Sequence, residues 1–315
     1  MSVMLRYIMK RLLQFIPIIF IVSIIIFGMV RIPKIDPVAV IVGGGQASQE
    51  EINSIREKYN LNKPMVIQYY IWITGALRGN FGLSINYQQP ITSLIKERLP
   101  VTLGLTLLGT LFSILMAIPV GVVTAVKKNT WVDRFLSIII LVLVSCPVYL
   151  TCILMILVIS AFFPSFSFTG TFTNFSEYIQ RIVLPAIALA FGMIALLARV
   201  TRSSMIEQLQ SNYIVTANAK GLPFKDVIFK HALKNAAVPI ITICSIQIGV
   251  MIVGSVLVER VFSLSGIGSL LIDGINNSDY PIVQGVTLLL VTVFLLLNLI
   301  ADIIYAFIDP RIRYK

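Results

Sequence analysis

Charged residues are scarce in this chain of 315 residues: they make up 12% of it, against about a quarter in ordinary soluble domains. Hydrophobic residues make up 57% of the chain and the mean hydropathy is +0.91. This balance excludes an ordinary soluble domain and predicts an integral membrane protein set in a lipid bilayer. The net charge of +11 does not point to nucleic acid, because lysine and arginine collect in the segments predicted to lie on one side of the membrane.

Several motifs of enzyme chemistry are also missing. No G-x-x-x-x-G-K-[ST] sequence is present, so no ATP-binding loop is expected in this chain. The single histidine, His231, cannot build a two-histidine zinc site, and no metal or other cofactor is expected on the chain. The three cysteines, Cys146, Cys152 and Cys244, lie in apolar runs and are interpreted as small hydrophobic residues.

Carboxylates are almost absent from the interiors of the predicted spans, with Asp302 near the end of the last one. Proton-coupled carriers usually need ionisable residues at membrane depth, so a secondary carrier or channel is the less favoured alternative. No nucleophile–base or metal pairing is apparent, which disfavours a membrane enzyme. The favoured interpretation is therefore a transport pathway that is driven by energy from another protein.

Six apolar runs are long enough to cross the membrane, which takes roughly 20 helical residues. They predict an all-α polytopic protein with spans near 12–30, 101–126, 135–163, 182–201, 239–258 and 283–308. The connection 163–180 has no lysine or arginine, and 259–281 has only Arg260, whereas the other short connections and both ends are basic. The positive-inside rule therefore predicts that both termini are cytoplasmic. Prolines are expected to interrupt the second, third and fourth spans or their ends, at Pro119, Pro147 and Pro185.

A long external region separates the first two spans. Ser48 to Glu51 resembles a capping box that starts a helix, which Asn60 to Pro64 ends. Residues 65–77 form a second amphipathic stretch, whose aromatic residues lie at the headgroups or pack on the helix bundle, and a short helix over 91–98 leads to Pro100. The predicted division is 1–31 (N-terminus and first span), 32–99 (external helical region), 100–308 (core, with a cytoplasmic coupling segment at 202–238) and 309–315 (cytoplasmic tail).

The polar segment between the fourth and fifth spans predicts a rigid cytoplasmic protrusion that a soluble partner can grasp. A helix over 211–220 is expected to end at Gly221 in a left-handed cap, with a hydrophobic contact from Leu222 and a stop at Pro223. A second helix is expected to place Phe224, Val227, Ile228 and His231 on one face. The alternative is an inert interfacial loop.

Three blocks of sequence resemble the permease subunits of bacterial ABC importers of the oligopeptide, dipeptide and nickel class. They begin at Tyr213 (YIVTANAKGL, continued by HALKNA), at Val258 (VERVFSLSGIG, continued by DYPIVQG) and at Asp309 (DPRIRY). Two departures are Val215, where the general motif has glutamate, and Ser265, where many members have proline. Without that glutamate, no salt bridge to the ATPase is expected at residue 215.

The resemblance implies the type I importer permease fold, with six membrane helices, in the bacterial inner membrane. It also implies a second homologous permease, two cytoplasmic subunits that bind ATP and Mg, and an external substrate-binding protein. Short peptides are the expected cargo, with nickel or a metal chelate as the alternative. The residues expected to couple to the ATPases are Tyr213, Thr216, Ala217, Lys220, Gly221, Leu222 and His231, and those expected to face the binding protein are Arg56, Lys58 and Asp279.

Overall fold

The computed structural model describes residues 2–30, 48–164 and 174–308, and these residues are almost entirely helical. The all-α prediction is confirmed. The helices are α1 (Ser2–Met29), α2 (Gln49–Lys58), α3 (Met65–Leu77), α4 (Ile91–Val126), α5 (Trp131–Ser145), α6 (Val148–Phe162), α7 (Phe175–Leu209), α8 (Asn212–Ala219), α9 (Phe224–Val261), α10 (Ile267–Asn276) and α11 (Tyr280–Ile308). The predicted tail 309–315 and part of the external region lie outside the described residues.

Five of these helices are long and apolar enough to cross a membrane: they contain Leu12–Met29, Ile91–Val126, Ser176–Leu209, Phe224–Val261 and Tyr280–Ile300. Helices α5 and α6 pass the same test only together, and a bend of 105° separates them. Counted as one broken span, the pair completes the six predicted spans.

The bend supports the expected interruption at Pro147, which directly precedes α6. Helices α4 and α7 continue through Pro119 and Pro185, so these prolines do not end a helix, and the kinks expected there remain predictions. Helices that pack around a membrane helix can satisfy the backbone groups that a proline frees.

The predicted short helix over 91–98 is also not separate, because α4 runs through Pro100 as one helix of 36 residues. The predicted boundary between residues 99 and 100 therefore lies inside a helix. The start of α4 is buried by packing: Ile91, Leu94 and Ile95 form a core cluster with residues of α10 and α11. Burial of this apolar face outweighs the hydrogen bond lost at Pro100.

The chain forms two compact units. The core unit comprises the described residues of 1–8, 102–264 and 296–315, and the flanking unit comprises those of 9–101 and 265–295. In the flanking unit, the Tyr69 ring of α3 packs edge-on against Phe20 and Phe27 of α1, and its hydroxyl lies 2.8 Å from Ser23 Oγ. The sequence left open whether the aromatic residues of α3 lie at the lipid headgroups or pack on the helix bundle. Tyr69 packs on α1, whereas Tyr70 is 67% exposed.

Within the core unit, α7 and α9 pack against each other, and α5 and α6 both pack on α7. Helix α4 approaches these helices at glycines. A Cβ atom at Gly121 would lie 2.5 Å from Cβ of Thr201, and one at Gly109 would lie 2.8 Å from Cε of Met251. Small residues let membrane helices approach closely. A Cβ atom at Gly121 would also lie 2.8 Å from the Ala198 carbonyl oxygen, so glycine is required there, whereas the flexible end of Met251 can move away from residue 109.

Candidate functional site

The α8–α9 corner, residues 211–232, has the capped geometry that the sequence predicts. Helix α8 ends at Ala219, and Gly221 has φ +73°. The Gly221 N–H donates to the Asn218 carbonyl at 2.9 Å, and the Leu222 N–H donates to the Ala217 carbonyl at 3.3 Å. These two bonds form a Schellman cap, which satisfies carbonyls that the helix end leaves without partners.

The second helix of the corner continues directly into a membrane span. After one turn, Phe224–Asp226, the chain makes a π-helical turn over Val227–Ala232 and then runs on as Leu233–Val261. The π-helical turn packs against both α7 and α8. A helix that begins at the corner and ends across the membrane gives the corner a direct mechanical link to the span.

The expected apolar face of this second helix is only partly correct. Val227 and Ile228 are buried and His231 is half-buried, but Phe224 is 63% exposed. Phe224 lies in the first turn, ahead of the π-helical turn that packs on α7 and α8, and the π-helical turn changes the spacing of buried positions from that of an α-helix.

One side of the corner is anchored and the other is open. Ile214 and Ala217 of α8 are buried. The exposed side carries apolar and basic side chains together: Tyr213, Val215, Leu222, Phe224, Phe229, Lys220, Lys225 and Lys230. Exposed large apolar side chains accompanied by charged ones are typical of protein-binding surfaces.

The residues expected to couple to the ATPases include both exposed and buried ones. Tyr213, Thr216, Lys220 and Leu222 are exposed. The Tyr213 hydroxyl donates to Gln208 Oε1 at 2.8 Å, which orients the ring. Ala217 is buried, so its contribution is to seat α8 and not to contact a partner.

An ion pair in the core unit, with a buried carboxylate and a half-buried guanidinium, was not predicted from the sequence. Arg202 of α7 donates through Nε and Nη2 to the two carboxylate oxygens of Asp133, at 2.8 Å each. The Asn129 N–H also donates to Asp133 Oδ2 at 3.0 Å. Arg202 was counted only as a basic residue of a connection; the signal available was a lone carboxylate at the start of a span.

Glu259 is a buried carboxylate that the sequence did not place in a span. It was placed in a loop, but it lies in the last turn of α9 and is fully buried. Thr102 Oγ1 donates to its Oε1 at 2.6 Å, and Ser255 Oγ lies 3.5 Å from the same oxygen. When the end of a span is placed by hydropathy alone, a charged residue near that end is left outside the span, because its charge ends the apolar run.

The residues expected to face the receptor belong to the flanking unit. Arg56 is exposed, and the side chain of Lys58 lies outside the described residues. The expectation that Asp279 is exposed is wrong: it is fully buried. Its Oδ2 accepts from Ser84 Oγ at 2.6 Å and from the Asn86 N–H at 2.9 Å, and its Oδ1 accepts from the Ile282 N–H at 3.3 Å.

Asp279 therefore caps the start of α11 while holding the 84–86 loop. Burial, together with the negative charge of Asp279, raises the pKa of Tyr59. A side chain so enclosed cannot contact a receptor.

Two family profiles match almost the whole chain. One is described as the binding-protein-dependent transport system inner membrane component and covers residues 117–314; the other is its N-terminal part and covers residues 4–106. A solved chain of the MetNI methionine ABC transporter, in an inward-facing conformation, shares the fold with a TM-score of 0.59 and 20% identity, over 69% of this chain and 96% of that chain.

Curated relatives match over nearly their full length. A probable peptide ABC transporter permease of Sinorhizobium fredii is 38% identical over 98% of this chain and 99% of its own. A dipeptide transport system permease of Alkalihalophilus pseudofirmus and a glutathione transport system permease of Escherichia coli are each 36% identical over 99% of this chain and 100% of their own. This chain thus belongs to the family of inner membrane components of binding-protein-dependent transport systems, the permeases of ABC importers.

Proposed function

We propose that this chain is the transmembrane permease subunit of an ATP-driven importer that moves short peptides into the cell. The observation that carries the proposal is similarity over 98–99% of the chain to permeases named for peptide, dipeptide and glutathione transport. These cargoes share one chemistry, since glutathione is itself a tripeptide.

The proposed complex contains this chain, a second related permease, two cytoplasmic ATP-binding subunits and an external substrate-binding protein. ATP and Mg are bound by the ATP-binding subunits, and this chain has no ATPase site of its own. The family description, which names a binding protein, supports the external partner. The exposed apolar and basic side of the α8–α9 corner supports a cytoplasmic protein partner.

In the proposed mechanism the ATP-binding subunits grip the α8–α9 corner through Tyr213, Thr216, Lys220 and Leu222. The Schellman cap at Gly221 keeps the corner rigid, so movement of the ATP-binding subunits displaces the corner as a body. Helix α8 follows α7 after two residues, Gln210 and Ser211, and the π-helical turn continues as α9. A displacement of the corner therefore moves both α7 and α9.

The substrate-binding protein acts from the other side of the membrane. A receptor shifts a conformational equilibrium only by binding one state better than another. Loaded receptor that prefers the state in which the ATP-binding subunits are closed will therefore stimulate hydrolysis. Arg56 and Lys58 of α2 remain the proposed receptor-facing charges.

The proposed orientation, with both termini in the cytoplasm, predicts a labelling pattern. In a chain whose native cysteines are replaced by serine, Gln46→Cys and Gln88→Cys are expected to react with a membrane-impermeant maleimide in intact cells. Lys225→Cys is expected to react only after the cells are opened, because the corner faces the cytoplasm. Labelling of Lys225→Cys in intact cells would reverse the orientation and remove the corner from the reach of an ATPase.

The cargo is tested by the ligand that co-purifies with the cognate substrate-binding protein. Mass spectrometry of the released ligand is expected to find peptides of a few residues, and unlabelled peptides of that length are expected to compete with labelled ones for binding. A nickel ion or metal chelate in the binding protein, with no affinity for peptides, would contradict the proposed cargo while leaving the ABC permease assignment intact.

A further inference from the structure

The ion pair between Asp133 and Arg202 is separate from the α8–α9 corner, since neither residue falls within residues 211–232. Only 6% of the Asp133 side chain and 30% of the Arg202 side chain is exposed. The guanidinium meets the carboxylate with two parallel bonds of 2.8 Å. Such a bidentate pair fixes the orientation of both groups as well as their distance.

The pair joins two elements that differ in their connection to the corner. Arg202 lies seven residues before the end of α7, or about 10 Å along the helix, and α8 follows almost directly. Asp133 lies in the first turn of α5. Its remaining partners, the Asn129 N–H and Ser137 Oγ, belong to the start of α5 and the turn before it, so the carboxylate is built into that end of the helix.

Helix α5 is separated from α6 by the bend of 105°. Cys146 at the bend is extended, with φ −87° and ψ 120°, and Pro147 has no N–H to continue the helix. An open apolar groove with a volume of about 350 Å³ lies at the bend, lined by residues that include Cys146, Thr151, Met155 and Phe191. The angle between α5 and α6 can change at Cys146 and Pro147, because the helical backbone is interrupted there.

We propose that Asp133 and Arg202 are positioning residues for transport, which make α5 follow α7 when the corner is displaced. This inference rests on the proposed function. Movement of the corner shifts the end of α7, the ion pair carries the start of α5 with it, and the bend at Cys146 and Pro147 absorbs the change. Without the pair, α7 moves and α5 lags, so hydrolysis is no longer converted fully into opening of the pathway.

The test uses Asp133→Asn/Arg202→Gln in the complex assembled with its partners in liposomes. This double variant removes both charges, so no unpaired buried charge is left to unfold the protein. Uptake per ATP hydrolysed is expected to fall about tenfold, within the range by which residues between two coupled sites alter their coupling. The control is Arg98→Gln/Asp273→Asn, which removes an ion pair of 3.8 Å in the flanking unit and is expected to keep the ratio unchanged.

A distance measurement separates positioning from simple stabilisation. Spin labels are attached to Ile138→Cys on α5 and Ser203→Cys on α7, both exposed positions, in the background without native cysteines. With Asp133 and Arg202 intact, the distance is expected to be the same in the nucleotide-free and ATP-trapped states. In the double variant it is expected to differ between these states.

A double variant with lower abundance but an unchanged uptake ratio and an unchanged distance would overturn the inference, because it would show a structural role only. If the double variant does not assemble, Arg202→Lys is tested by the same two measurements. Lysine keeps the positive charge but cannot form the two parallel hydrogen bonds to Asp133. Uptake per ATP hydrolysed equal to that of the native chain would then overturn the inference. Failure of the native complex to couple ATP to uptake would instead remove the proposed function.

Discussion

Replacing Gly221 with valine is expected to leave the protein in the membrane and to lower ATP-driven uptake by at least about tenfold. The native φ of +73° lies in the left-handed region, which costs residues with a Cβ atom about 1–2 kcal/mol and β-branched residues more. The corner would relieve this strain by turning, which breaks the cap bonds to Asn218 and Ala217 and displaces Leu222. The measurements are uptake and the amount of ATP-binding subunit that co-purifies with the variant.

Gly221→Asn is the matched control, because asparagine tolerates the left-handed conformation better than other residues with a side chain. A Cβ atom at this position would have no neighbour within 4 Å, so the added side chain does not clash within the chain. Near-native uptake is expected. Normal uptake and normal ATPase retention in Gly221→Val would contradict the proposed role of the corner, and equal loss in both variants would show that the partner requires the absence of a side chain.

Asp279→Ala is expected to destabilise the flanking unit by about 3 kcal/mol, by adding the loss of a helix cap to the cost of buried donors left unpaired. Ser84 and Asn86 lose their common acceptor, and α11 loses the acceptor at its first turn. The expected result is a lower midpoint of thermal unfolding in detergent, followed by the fluorescence of Trp72, which lies in the flanking unit, in a chain that carries Trp131→Phe.

The control for this prediction is Asp226→Ala. It removes a carboxylate from an exposed pair with Lys230, which is worth at most about 1 kcal/mol. Equal unfolding midpoints for Asp279→Ala and Asp226→Ala would show that the buried network contributes little. Loss of receptor stimulation with an unchanged midpoint would return Asp279 to the receptor face where the sequence had placed it.

Local signals were sufficient for the corner. Gly221, Leu222 and Pro223 are neighbours in sequence, and the cap that they form depends on backbone geometry within a few residues. The end of α2 was predicted for the same reason: Asn60 has φ +55°, and the Leu61 N–H donates to the Arg56 carbonyl at 2.8 Å.

Side-chain partners distant in sequence were not predictable. Asp279 meets Ser84 across 195 residues, and Arg202 meets Asp133 across 69. An acidic residue between two polar turns has the composition of an exposed loop, and only the packing of the 84–86 loop against the start of α11 buries it. Charge counted along the chain places residues on one side of a membrane, but it does not show which of them pair.

The continuation of a helix through a proline was also not predictable, because packing against other helices determines it. Pro100 was expected to separate a short helix from the second span, yet the apolar residues of α4 on its N-terminal side are buried against α10 and α11. Pro147 accompanies a break between two helices, whereas α4 and α7 continue through Pro119 and Pro185. A proline removes one hydrogen bond wherever it stands, and the surrounding helices determine whether that loss bends the chain.

Uptake of a labelled short peptide into proteoliposomes shows whether other subunits power the pathway that this chain is proposed to form. With the second permease, the ATP-binding subunits, loaded binding protein and ATP all present, accumulation against the gradient is expected, and omission of any one of them is expected to stop it. The chain alone is expected neither to hydrolyse ATP nor to move peptide. Peptide movement down its gradient through the isolated chain, unaffected by the ATP-binding subunits or the binding protein, would contradict the account and indicate a carrier or channel.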